Sequence, residues 1–213
     1  MGVAQALHPH RPGTERQLIE RSVSSERAPW RTLAVTLAAA AAFGVVMAVI
    51  KGQDAGVRDA IGNASAPWVV IPFLAGTRYR SPGWGLLVGV GATLAAFAGF
   101  YTAEAAVLDL GASSWTHALS LTLGSGRIYE EWGLLSGALY GALGSLWATR
   151  RWLAAGAAVG LAFIFEPLIV LALKHGRMWG GSGPLEYRWM WTAEILLGIG
   201  AIALALTRLR RSA

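Results

Sequence analysis

Past residue 30 the chain alternates long apolar runs with short charged breaks. Residues 32–50, 60–77, 81–103 and 132–149 carry no charge at all. Residues 152–173 carry one, Glu166, and residues 189–207 carry one, Glu194. A helix that crosses a bilayer needs about 20 residues at about 1.5 Å rise each. The pattern therefore predicts six helices, at about 32–50, 60–77, 81–108, 129–149, 152–173 and 189–207. The second is the weakest, because Asn63 and Pro67 fall inside it. A further apolar stretch, 112–126, is too short and too rich in Ser, Thr and Gly to cross. It reads as an interfacial or re-entrant segment between the third and fourth helices. Gly180, Gly181, Gly183 and Pro184 mark a loop before the sixth helix.

Residues 1–30 are different. Arg11, Arg16, Arg21, Arg27 and Glu15, Glu20, Glu26 alternate there, and Pro9, Pro12 and Pro29 punctuate them. No apolar stretch resembles the centre of a secretory signal peptide. The segment reads as a disordered cytoplasmic tail with room for a short helix around 14–26. Residues 31–208 read as a single membrane domain.

The charged breaks orient the helices. With six crossings both termini share one side. That side collects Arg11, Arg16, Arg21, Arg27, Arg31, Arg78, Arg80, Arg150, Arg151, Arg208, Arg210 and Arg211, or 12 of the 18 basic residues. The positive-inside rule then places both termini in the cytoplasm. Of the 12 acidic residues, only the three tail glutamates fall on that side.

Composition narrows the classes. Charged residues make up 14% of the 213 and hydrophobic residues 54%, with 10 Trp and no Cys. Soluble domains carry about 25% charge. A disordered chain, a disulfide-rich secreted domain and a thiol enzyme are excluded. The expected class is an all-α integral membrane protein, a six-helix multi-pass bundle in a bacterial plasma membrane. The net charge of +6 does not point to nucleic acid. The bases lie between apolar runs and form no patch interleaved with aromatics.

Small residues recur every fourth position. Gly133, Gly137, Gly141 and Ser145 form a stripe on the fourth helix, Ala40, Gly44 and Ala48 one on the first, and Gly85 with Gly89 a shorter one. Such stripes let helix backbones approach closely in lipid. They serve either packing within the chain or contact with a second copy or partner subunit through Gly133, Gly137 and Gly141.

Depth arithmetic selects the candidate chemistry. Counted from the cytoplasmic end at about 1.5 Å per residue, Glu166, Glu194 and Asn63 all lie about 20 Å in. A charge in hydrocarbon costs about 2.5–3.5 kcal/mol on insertion scales and normally faces protein or a wet cavity. The three are therefore expected to line one cavity open to the outside. Tyr101 and Glu104 share a face of the third helix above it. Gln53, Asp54, Arg58, Asp59, Tyr129, Glu130, Glu131, Lys174, His175, Arg177 and Trp179 are rim residues. His117 and His175 have no second histidine at ligand spacing, so no metal site is assigned. No zinc-protease, phosphate-loop, nucleophile-elbow or Asp-rich diphosphate motif occurs. No cofactor is called for, and catalytic residues stay unassigned.

Asn63, Ser65 and Trp68 at the entry to the second helix, with Pro72, Phe73 and Gly76 at its exit, resemble a bacterial family of small multi-pass membrane proteins, domain of unknown function family 6518. Ala98, Gly99, Phe100 and Tyr101 are similar to that family's ending of the third helix, with Phe100 in place of a usual Tyr. The resemblance covers roughly residues 33–207. It implies no activity, but it places weight on Asn63, Ser65, Trp68, Tyr101, Glu166 and Glu194.

Three functions fit the sequence. One is binding or transport of a small molecule through an outward-facing polar and aromatic cavity lined by Asn63, Ser65, Trp68, Tyr101, Glu104, Glu166 and Glu194. Its architecture is similar to the substrate-binding component of energy-coupling-factor vitamin transporters. The second is a membrane enzyme acting on a lipid or isoprenoid, with a buried Glu as general acid. The third is an accessory or scaffold subunit without catalysis. The first is preferred, and with it a chain that is not an enzyme.

Overall fold

The computed structural model describes residues 28–52, 56–107, 114–125, 127–173 and 187–210. Residues 1–27 of the predicted tail, the loop at Gly180–Pro184 and the rim residues Gln53, Asp54, Lys174, His175, Arg177 and Trp179 lie outside the described residues, and residues 28–30, expected in the tail, begin the first helix instead. All regular structure among the described residues is helical.

Among the described residues eight helices follow one another: α1 (Ala28–Lys51), α2 (Val57–Gly62), α3 (Ala66–Gly76), α4 (Pro82–Val107), α5 (Trp115–Ser125), α6 (Arg127–Arg150), α7 (Leu153–Leu173) and α8 (Arg188–Arg210). Among the described residues, four segments are long and apolar enough to cross a membrane: Trp30–Lys51, Pro82–Ala106, Leu153–Val170 and Arg188–Leu209. The chain is on these grounds a membrane protein. Its outward-facing surface carries exposed Leu87, Leu135, Leu196, Leu197 and Leu204, an arrangement that suits lipid and not water.

The chain divides into two compact units, Met1–Val35 and Thr36–Ala213. In the first, the described residues begin α1, where the Arg31 guanidinium lies 5.8 Å from the centre of the Trp30 ring. The second holds the remaining elements.

In place of one helix at 60–77 there are two pieces, α2 and α3, separated by a turn at residues 63–65. The sequence explains the break. Pro67 has no N–H to continue a helix from α2, but it suits the first turn of a new one. α3 alone, at 11 residues, rises only about 17 Å. The stretch foreseen at 112–126 is α5, an 11-residue helix that meets α4. The five other expected helices fall within a few residues of expectation.

Glycine sets the interhelical distances. A methyl group at Gly141 would run into the Gly85 carbonyl, and one at Gly89 into the Gly137 carbonyl. α4 and α6 thus touch backbone to backbone, and the fourth-helix stripe is taken up within the chain. Gly144 closes in the same way on the Phe73 carbonyl of α3, and Gly160 with Gly198 joins α7 to α8. Gly44 meets the Ala96 carbonyl and Gly99 the Ala41 carbonyl, which brings the later part of α1 against α4. α6 is flanked by α3, α4 and α7.

Candidate functional site

The turn between α2 and α3 needs hydrogen-bond acceptors. A helix start leaves its first amides without partners. Ser65 occupies the N-cap position, yet its side chain makes no capping bond. Glu166 of α7 supplies the acceptors instead. Its Oε1 accepts the Ser65 N–H at 2.6 Å and its Oε2 the Ala66 N–H at 2.5 Å. Pro67 has no N–H to satisfy, and the Trp68 N–H reaches the Ser65 carbonyl at 3.1 Å. One carboxylate therefore closes the start of α3 and sits at the positive end of its dipole.

Glu194 of α8 faces Glu166. It is 6% exposed, and neither carboxyl oxygen meets an N–H or O–H donor of another residue type among the described residues. The contact between the two carboxyls is a hydrogen bond only when one of them keeps a proton, because an ionised carboxylate has nothing to donate. One turn earlier on the same face of α8, the indole Nε1 of Trp191 is also buried and meets no acceptor among the described residues. An unmatched buried donor and two unmatched buried acceptors thus occupy neighbouring positions.

Trp68, two residues into α3 from the Glu166 cap, joins the pair to the rest of the candidates. Its ring packs edge-on against Phe43 and Phe100 and at a tilt against Phe97, each at 5.4 Å between centres. Phe97 and Phe100 in turn hold Tyr101, at 6.0 and 5.6 Å. The Tyr101 hydroxyl faces Glu130 at the start of α6.

Glu104 lies one turn beyond Tyr101 and forms a salt bridge with Lys51. Lys51 ends α1, and its ammonium also stands 5.5 Å from the Phe100 ring. Gly52 follows with φ 66, the left-handed conformation that closes a helix, and Arg58 donates to the Val49 and Ile50 carbonyls at 2.8 and 3.0 Å. These contacts fix the end at which Lys51 meets Glu104.

The candidates therefore fall into two groups connected by an aromatic cluster. Glu166, Glu194 and the Ser65 backbone form one, and Tyr101, Glu104 and Lys51 the other. Asn63 stands apart from both. Its amide donates to Asp59 at 2.8 Å and finishes α2. Ser65 is brought to Glu166 by its backbone N–H, and its hydroxyl, on an otherwise exposed residue, faces the same carboxyl. Sequence reasoning did not single out Lys51 as the partner of Glu104, nor Trp191 as a group associated with Glu194. The i, i+3 spacing of Trp191 and Glu194 was the available signal. A cavity of about 430 Å³ opens at the other end of the helices, beside Arg151 and Arg208, and holds none of the predicted residues.

No protein-family model, curated protein or solved structure matches the chain. The site must be read from its own geometry.

Proposed function

We propose that the chain is a six-crossing, multi-pass protein of a bacterial plasma membrane, with both termini in the cytoplasm, that binds or transports a small molecule at an outward-facing site around Glu194. The observation that carries this reading is the Glu194 carboxyl, buried in the second turn of α8 and met, among the described residues, by no donor other than its neighbouring acid. Intramembrane acids normally serve a ligand or a proton. Glu166 is occupied by the α3 amides, so it holds the site in shape. Glu194 and the Trp191 indole remain to receive a ligand. Their complement is a molecule with a hydrogen-bond donor for the carboxyl and an acceptor for the indole.

Further features support the reading. α2 and α3 form a broken second crossing of the kind that carriers use, in which a half-helix start lies at the binding site. The residues that resemble the family of unknown function 6518, Asn63, Ser65 and Trp68, sit on that break, and membership of that family is part of the proposal. α6 is less apolar than the other long helices, and its enclosure by α3, α4 and α7 lets it cross without facing lipid all round. Twelve of the 18 basic residues fall on the side assigned to the cytoplasm. A single cysteine at position 116 should label from outside and one at 79 should not. The reverse result would overturn the orientation.

The function is tested by native mass spectrometry of the full chain purified in mild detergent. A small polar molecule should remain bound to the native protein and be lost from Glu194→Gln at unchanged folding. If both proteins carry nothing, and a panel of small polar compounds shifts the melting of neither, the reading fails.

A further inference from the structure

The second site lies at the opposite end of the helices. There the ends of α3, α6 and α8 surround the cavity of about 430 Å³. This volume falls within the range of about 300–1,000 Å³ that small-molecule sites occupy. Arg151 and Arg208 line it together with the Thr77 hydroxyl. Phe73, Leu74 and Trp147 supply apolar walls, and no Asp or Glu is among the lining residues. Phe73 and Trp147 belong to a packed cluster with Ala155 and Ala205, so the walls are anchored in the core.

The backbone at Arg151 is unusual. α6 ends at Arg150, and the Arg151 N–H closes its last turn on the Trp147 carbonyl at 3.2 Å. The next position of a helix end commonly carries glycine, because it takes the left-handed conformation. Arg151 takes it with φ 52, and among the described residues it is the one non-glycine residue with positive φ. The conformation is disfavoured for any residue with a Cβ. A strained backbone that keeps a long cationic side chain points to a use for that side chain.

Two guanidinium groups facing an apolar-walled cavity suit a phosphate. Each offers five N–H donors in a planar fork that matches phosphate oxygens. Arg78, Arg80 and Arg150 lie in the same set of breaks, which places the cavity at the level of polar headgroups. Basic pockets between membrane helices on the cytoplasmic side take anionic lipid headgroups.

We propose that the cavity between α3, α6 and α8 binds a phosphate group, with Arg151 and Arg208 as its ligands and the apolar walls accepting the body that carries it. An anionic phospholipid offers both parts. A soluble phosphate compound offers the first.

The test is native mass spectrometry of the purified full chain in detergent, titrated separately with phosphatidylglycerol, phosphatidylcholine and inorganic phosphate. The expected result is saturable binding of one phosphatidylglycerol, with weaker binding of phosphatidylcholine. Arg151→Gly and Arg208→Gln should each weaken it about tenfold, the effect of removing one charged hydrogen-bonding partner. Arg151→Gly also relaxes the left-handed backbone, so it should melt no lower than the native chain and report on binding alone. Arg80→Gln, at the same end but outside the cavity, should bind as the native chain does. Inorganic phosphate that binds and is lost with the same two variants, while no lipid is retained, would assign the site to a soluble phosphate compound. The proposal is overturned if neither phosphatidylglycerol nor phosphate binds, if phosphatidylcholine binds equally well, or if Arg80→Gln weakens binding as much as the two cavity variants.

Discussion

Replacing Glu166 and Glu194 one at a time by glutamine separates a structural carboxylate from a functional one. In Glu166→Gln one oxygen remains to accept an amide. The other position becomes an NH2 group facing an N–H, and a buried donor loses its acceptor. Hydrogen bonds between helices in lipid average about 0.6 kcal/mol and reach about 1.7. Bonds to an ionised acceptor are roughly twice as strong as neutral ones. Removing the negative charge from the start of α3 also forfeits its interaction with the helix dipole, worth about 0.3–2 kcal/mol. Together these predict a loss of roughly 1–3 kcal/mol. Glu194→Gln removes no bond to an N–H or O–H donor, and its new NH2 can donate to Glu166 as a shared proton would. Its predicted cost is within about 0.5 kcal/mol. Reversible unfolding in mixed micelles, followed by helix circular dichroism, measures both. Equal destabilisation by the two variants, or a neutral Glu166→Gln, would refute the division of roles.

The Lys51–Glu104 pair gives a second test. Lys51→Met leaves Glu104, 6% exposed, without its cation and should destabilise by about 3–5 kcal/mol. Adding Glu104→Leu should restore most of that, as the same unfolding experiment would read. The glycine contacts give a third. Gly141→Ala sets a methyl group against the Gly85 carbonyl and should lower stability by about 1–3 kcal/mol. Gly200→Ala meets nothing within 4 Å and should raise it by about 0.5–1 kcal/mol. Melting temperatures that move in the same direction for both glycine variants would contradict the packing.

The long helices were legible because charge-free runs of about 20 residues have few other uses. The closeness of Glu166 and Glu194 was legible too, since counting residues along a helix measures distance and put both at one level. Their partners were not. Nothing in the sequence says which amides a buried carboxylate will cap, and the Ser65 and Ala66 donors lie about 100 positions away. The break at residues 63–65 was half visible. Asn63 and Pro67 marked the stretch as irregular, but whether a helix bends or restarts depends on an acceptor from another helix. Asn63 was expected beside the two glutamates, but its amide meets Asp59 one turn back on α2 instead. The Arg151 and Arg208 cavity was invisible, since three helix ends must converge before it exists.

The central claim is that Glu194 is the open carboxyl of the pair and Glu166 the closed one. A hydrophobic carbodiimide adds to proton-bearing carboxyl groups in apolar surroundings, and peptide mapping by mass spectrometry then locates the adduct. The account predicts an adduct at Glu194 and none at Glu166, whose two oxygens are held by the Ser65 and Ala66 amides. Equal modification of Glu166, or an unmodified Glu194, would contradict it.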